Sequence, residues 1–195
     1  MWRSLLPTIF LTAALVLSGC LGKLERNSAA ERIALTPRDM LNLPVREGRP
    51  YWLLRSQPGW LGAHETSYGG APGDGAVVVV RTVLFQDDAA ARSAFAQLTP
   101  EYLHLLLRDR IKVEPPPFQV LPPSESDELS VSHYQIPLPA ETREDEEFVV
   151  FVDMMFARTG RAVLFLESLG LTFEQQVDVM NLLTRTADDV IGPVP

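Results

Sequence analysis

The ten residues Ala76-Val77-Val78-Val79-Val80-Arg81-Thr82-Val83-Leu84-Phe85 constrain this chain more than any other stretch. They are β-branched or apolar at odd and even positions alike, so a strand built from them needs both of its faces covered. Such a strand belongs in the middle of a sheet, with a layer packed on each side. Arg81 is the one charge within it.

The elements around that strand can be read from turn and capping chemistry. Gln57-Pro58-Gly59 is a turn signal, Trp60 to Tyr68 reads as a strand, and the Gly-Gly-Ala-Pro-Gly-Asp-Gly stretch at 69–75 reads as a flexible hairpin loop. A phosphate cradle is a poor fit there, because P-loop spacing is absent, no lysine follows, and the next segment is a strand. After the valine strand, Asp87 or Asp88 caps a helix with Ala90, Ala91, Ala94, Phe95 and Leu98 inward, and Thr99-Pro100-Glu101 starts a second capped segment running to about Asp109. Upstream, Thr36-Pro37-Arg38-Asp39 opens a brief helix that Pro44 ends, and Tyr51 to Leu54 is a short strand. Pro115-Pro116-Pro117 forms a rigid spacer before an extended Phe118 to Leu121.

The second half reads strand, strand, strand, helix: Leu129 to Ile136, Phe148 to Ala157, Arg161 to Leu169, and Thr172 to Ile191. Arg158-Thr159-Gly160 is the tight turn of a hairpin. Along the last helix Phe173, Val177, Met180, Leu183, Ala187 and Val190 recur at three and four, one apolar stripe for the sheet. Clustered strands with helices at separate points predict an α+β domain. It is a single antiparallel sheet of about five to six strands, packed by a middle helix pair and a C-terminal helix.

The N-terminus carries a different kind of information. Met1-Trp2-Arg3 supplies one positive charge, an apolar stretch runs from Leu5 to Leu17, and small residues precede Cys20, the chain's one cysteine. This is the layout of a secretory signal, and the run is shorter than the ~20 residues of a membrane-spanning helix. Leu17-Ser18-Gly19-Cys20 resembles the lipobox of bacterial lipoproteins. That resemblance implies a diacylglyceryl group on the Cys20 sulfur, removal of residues 1–19 and acylation of the new N-terminus. Two or three chains would hold the protein durably, since each buried methylene contributes ~0.8 kcal/mol. Leu21 stands where an inner-membrane sorting signal would have aspartate, which favours the outer membrane in a two-membrane host, or the outer face of the cytoplasmic membrane in a host with one. The expected organisation is therefore a signal peptide at 1–19, a polar lipidated tether at 20–35 and one globular domain at 36–195.

Cleavage removes Arg3 and no acid, so 17 basic and 25 acidic side chains become 16 and 25, a formal charge of −9. Such a surface argues against nucleic acid as a partner. The order of elements over about residues 50–192 resembles the PsbP-like fold of several exported bacterial lipoproteins. Phe85-Gln86-Asp87-Asp88-Ala89-Ala90-Ala91, following a valine-rich strand, is similar to exported lipoproteins of high-GC bacteria. Neither resemblance implies a catalytic residue.

The residues themselves point the same way. His64, His104 and His133 lie in three distant elements without ligand spacing, so no metal is expected. No serine sits in a Gly-x-Ser-x-Gly elbow. The acidic run Glu141 to Glu147 lacks the glycine turn of a calcium loop and reads as a solvated hairpin loop. With no nucleophile, metal set or cofactor motif, the expectation is a non-catalytic binding module, with carriage of a small apolar ligand or lipid as the rival. Polarity inside the strands selects the site. Asp153, Glu167 and Arg81 are mid-strand charges among apolar neighbours, expected to share one partly covered sheet face that binds a ligand or protein partner.

Overall fold

In the computed structural model of the chain, the described residues are 29–52, 54–70, 74–99, 112–114, 125–138 and 148–192; 112–114, 132–138 and 148–153 are described through their backbone. Among the described residues seven strands form one sheet: β1 (Val45–Pro50), β2 (Trp60–Gly69), β3 (Val77–Phe85), β4 (Lys112–Glu114), β5 (Glu128–Leu138), β6 (Phe148–Thr159) and β7 (Ala162–Leu169). Their order is β1-β2-β3-β7-β6-β5-β4, and every neighbouring pair is antiparallel. The expected α+β class and single antiparallel sheet are what the chain adopts, with one strand more than the upper expectation. The sheet consists of two meanders, β1-β2-β3 and β4-β5-β6-β7, joined where β3 pairs with β7 from Val77↔Leu169 to Leu84↔Ala162.

The valine strand is central, and the sheet separates two apolar clusters. Val78, Val80 and Leu84 point into one, together with Leu164, Leu166 and Met155. Helix α2 (Phe173–Ile191) covers it through Val179, Met180, Leu183 and Ala187. Val83 and Phe85 point into the other, with Val163, Phe165 and Phe156, beneath Ala91 and Ala94 of helix α1 (Asp88–Phe95). Phe156 and Phe165 meet edge to face, with ring centres 5.3 Å apart. α1 starts at Asp87, whose carboxylate accepts from the Ala90 N–H at 2.8 Å. α2 starts with a capping box between Thr172 and Gln175. The buried stripe of α2 is centred slightly off the expected one. Gln176 and Thr184 lie on it, the Thr184 hydroxyl donating to the Met180 carbonyl, whereas Phe173, Val177 and Val190 sit at its margins.

Three expectations are corrected. The tether does not run to Leu35: Ala30, Ile33 and Leu35 are buried in the α2-side core, and the Tyr68 hydroxyl donates to the Leu35 carbonyl at 2.8 Å. Burial pushes the Tyr68 phenol up to about 12 against the opposing effect of that bond. The domain therefore begins by Ala29. The brief helix after Thr36 is a capped turn, closed by reciprocal bonds between Thr36 and Asp39 and ended by left-handed backbone at Leu41 and Asn42. The first strand is Val45–Pro50 instead of Tyr51 to Leu54. It is an edge strand whose residues are all exposed, so no apolar alternation marks it. The segments 100–111, 115–124 and 139–147, on which the second middle helix, an extended Phe118 to Leu121 and a solvated acidic loop are expected, lie outside the described residues.

Candidate functional site: a charged row on the sheet

The alternation of β3 puts Arg81 on the α1 side of the sheet, on the same face as Val77, Val79 and Val83. α1 is eight residues long and covers the Val83 and Phe85 end of that face, so the Arg81 region lies beyond it. Strand register places Glu65 of β2 directly opposite Arg81. The Arg81 Nε donates to Glu65 Oε2 at 2.6 Å, and its Nη1 donates to Glu167 Oε2 of β7 at 2.7 Å. The other Glu65 oxygen, Oε1, accepts from Arg49 of β1, with Nη2 at 2.6 Å and Nε at 2.8 Å. Charges of alternating sign thus run across four adjacent strands as Arg49, Glu65, Arg81 and Glu167. The Tyr51 ring lies 5.1 Å from the Arg81 guanidinium carbon, adding a cation–π contact.

Burial differs sharply along this row. The Glu65 side chain is 8% exposed and that of Arg81 16%, whereas Arg49 reaches well into solvent at 55%. Burial alone would lower the Arg81 pKa. The charge of Glu167, the Glu167 hydrogen bond and the charge of Glu65 outweigh it, holding the guanidinium above its ordinary value. A permanently charged arginine between two carboxylates is not a proton-transfer device. It is a fixed pattern of donors and acceptors, suited to recognition by charge and shape. Desolvating such ions costs several kcal/mol each, so the row adds little net stability compared with an apolar face of the same shape.

Of the three sequence-derived residues, Arg81 and Glu167 come together and Asp153 does not join them. In the β6–β7 register Glu167 is opposite Met154, and Asp153 is opposite Ser168. Alternation therefore puts Asp153 on the other face from Glu167. A one-residue offset in pairing exchanges the faces of a whole strand, and the pairing of β6 with β7 is not written in either strand alone. Glu65 and Arg49 were missed. The signal available for Glu65 was its place two residues after Ala63 in a strand, and Arg49 lies in the edge strand that has no pattern.

A second charged centre also escaped the sequence. Arg158, at the end of β6, is 3% exposed and contacts Asp88 of α1, Asp127 at 3.0 Å and Glu128 of β5 at 2.5 Å, while also donating to the Gly160 carbonyl at 3.1 Å. Burial opposes its charge, and the Glu128 hydrogen bond with the charges of Asp127 and Asp88 overcomes that, raising its pKa. Arg158 ties together α1, the start of β5 and the β6–β7 turn, which is a structural clip.

Among the described residues no group of three or more histidine, cysteine or acidic side chains could hold a metal ion, and no helix is long and apolar enough to cross a membrane. His64 is buried in β2, His133 is described through its backbone, and His104 lies outside the described residues. A cavity of about 350 Å³ lies on the outer side of α2, lined by Asp39, Leu41, Glu125, Asp178, Asn181 and Arg185 among others. Its walls mix polar and apolar side chains, and none of the residues lining it belongs to β6 or β7. Between α2 and those strands, Met155, Leu164 and Leu166 pack with Met180 and Leu183.

No protein-family model matches the chain, and no curated protein matches it in sequence. Among solved structures it is similar in fold to the extracellular domain of PknH from Mycobacterium tuberculosis, with a TM-score of 0.55 and 10% identity, over 85% of this chain and 96% of that one.

Proposed function

We propose that this protein is a bacterial lipoprotein, anchored through Cys20, whose α+β domain is a non-catalytic binding module facing the periplasm or the cell exterior. The observation that carries the binding role is the row Arg49, Glu65, Arg81 and Glu167. It grades from buried to exposed on a sheet face that α1 covers at one end. Beside it lies an aromatic patch: Trp52 is 58% exposed, with the Trp60 ring centre 6.2 Å away and Arg55 5.0 Å over its ring. Fixed charges next to exposed aromatic surface are the composition of a recognition site. The fold supports an exported role by likeness, since the similar PknH domain is described as extracellular. Export and lipidation rest on the Leu17-Ser18-Gly19-Cys20 motif.

Both halves of the reading are tested in the host. Labelled palmitate should enter the wild-type protein and not Cys20→Ser, which should also leave the membrane fraction. A photo-crosslinker replacing Arg49 should trap a discrete species in intact cells, and one replacing Arg185, on α2, should not. Equal trapping from both positions would remove the row from the binding role. Retention of label by Cys20→Ser would remove the anchor.

A further inference from the structure

Four of the five large apolar side chains exposed on the described structure gather at one end of the sheet. Val45 opens β1, Val77 opens β3 and Leu169 closes β7, and register connects them: Val45↔Tyr68, Gly69↔Val77 and Val77↔Leu169. Leu41 stands two residues before Leu43, whose side chain reaches Gly69 at the same end. These four are 38% to 49% exposed, enough to form a rim and too much for core residues. Scattered singly, such side chains would need no explanation; grouped at one end of the sheet of an otherwise acidic protein, they form an apolar surface that the fold does not account for.

The length of chain ahead of the domain says what covers it. Residues 29–35 pack along the α2 side of the sheet. Glu31 lies close enough to His64 to act on its charge, and Leu35 accepts a bond from Tyr68 beside Gly69, so this segment runs toward the rim. With the domain beginning by Ala29, eight residues, 21–28, separate it from Cys20. The nine Cα-to-Cα steps from Cys20 to Ala29 span at most about 32 Å when fully extended. From the His64 level to the rim is about 17 Å along a strand. The leader is therefore long enough to bring the rim to the bilayer, and it keeps the domain within about 32 Å of the anchored Cys20.

We infer that the rim of Leu41, Val45, Val77 and Leu169 is a membrane-contact surface, resting on the lipid bilayer that holds the acylated Cys20. The inference rests on the proposed lipid anchor. Aliphatic contact suits a chain of formal charge −9, for which electrostatic attraction to anionic headgroups is not available. Arg46, which donates to the Gly69 carbonyl at 3.0 Å, is the cation placed at this end to meet headgroup phosphates. The row at Arg81 lies between the rim and α1, so a partner of that face would be engaged close to the membrane surface.

The anchored protein carries no other cysteine, so one introduced thiol can be labelled alone. Full-length acylated protein would be reconstituted in phosphatidylcholine and phosphatidylglycerol vesicles with an environment-sensitive fluorophore at Leu169→Cys, at Val45→Cys, or at Arg92→Cys. Arg92 lies on α1, which follows the opposite end of β3, and its side chain is exposed. Labels at 169 and 45 should shift to the blue and lose emission to a quencher carried on the lipid chains, and the label at 92 should do neither. Protein that floats with the vesicles while all three labels escape quenching overturns the contact and leaves the anchor intact. A blue shift without lipid quenching means a protein surface covers the rim and overturns it too. Protein that does not float removes the anchor, and the contact falls with it.

Discussion

Arg81 and Arg158 are both arginines held among carboxylates, and they are built for different ends. Arg158 is almost completely enclosed and joins three elements that are distant in sequence, while its acidic partners face outward at the margin of the fold. Arg81 lies in mid-face, one of its two partners, Glu65, more buried than itself, and its row ends in the exposed Arg49. In the first centre the arginine is the part hidden from solvent; in the second an acid is hidden and arginines carry the charge outward. An enclosed cation with three compensating acids fixes geometry. A row that emerges from the core presents charge in a defined register, which is what a partner can read.

The largest expected effect is on the enclosed centre. Arg158→Met leaves three carboxylates facing one another without their shared cation and should lower stability by about 3 kcal/mol, the low end of the cost for breaking a buried pair because the acids are part-exposed. Thermal melts would measure it, and a change below about 1 kcal/mol would demote the clip to surface decoration. Arg81→Met should cost less, roughly 1–2 kcal/mol, because Glu65 retains Arg49. Urea titrations of Arg81→Met, Glu65→Gln and the double variant form a cycle; a coupling near zero would mean the two side chains do not act as a unit.

The smallest effect probes β2 without touching either arginine. His64, next to Glu65 and on the other face, has its pKa lowered by burial, which outweighs the attraction of Glu31 and Glu65. The unfolded chain therefore binds this proton first. Above the unfolded value of about 6.5 the residue contributes nothing, and as pH falls from there toward the lowered folded value stability is lost. His64→Gln should remove that slope, read from melts between pH 7.5 and 5; an unchanged slope would assign it to other groups.

How much of this could be read in advance depended on whether a residue's partner lay within its own element. The helix starts at Asp87 and Thr172, the hairpin near Gly160 and the burial of β3 are local facts, set by capping, turn geometry and periodicity. β1 was invisible because an edge strand exposed along its whole length needs no apolar alternation. Ala30, Ile33 and Leu35 were hidden by their polar neighbours, three small anchors that only a sheet already in place can receive. In the site, Arg81 and Glu167 were recognisable as charges that break an apolar face. The exclusion of Asp153 and the inclusion of Glu65 required the pairing register, which belongs to two strands at once.

The seam between the two meanders bears on how the protein is made. β3 has β2 as an early neighbour, but its other edge is closed by β7, so Leu84 waits for Ala162 and Val77 for Leu169. Until then a run of valines with high β-propensity and a single internal charge is half paired, the sequence pattern that assembles most readily with copies of itself. Contacts this far apart in the chain also form slowly. During synthesis, and during the passage across a membrane that the proposed export would require, the safest course is to stay unfolded, or shielded by a chaperone, until the last strand is available. Truncations that end before Ala162 should be recovered as aggregates instead of as smaller folded domains.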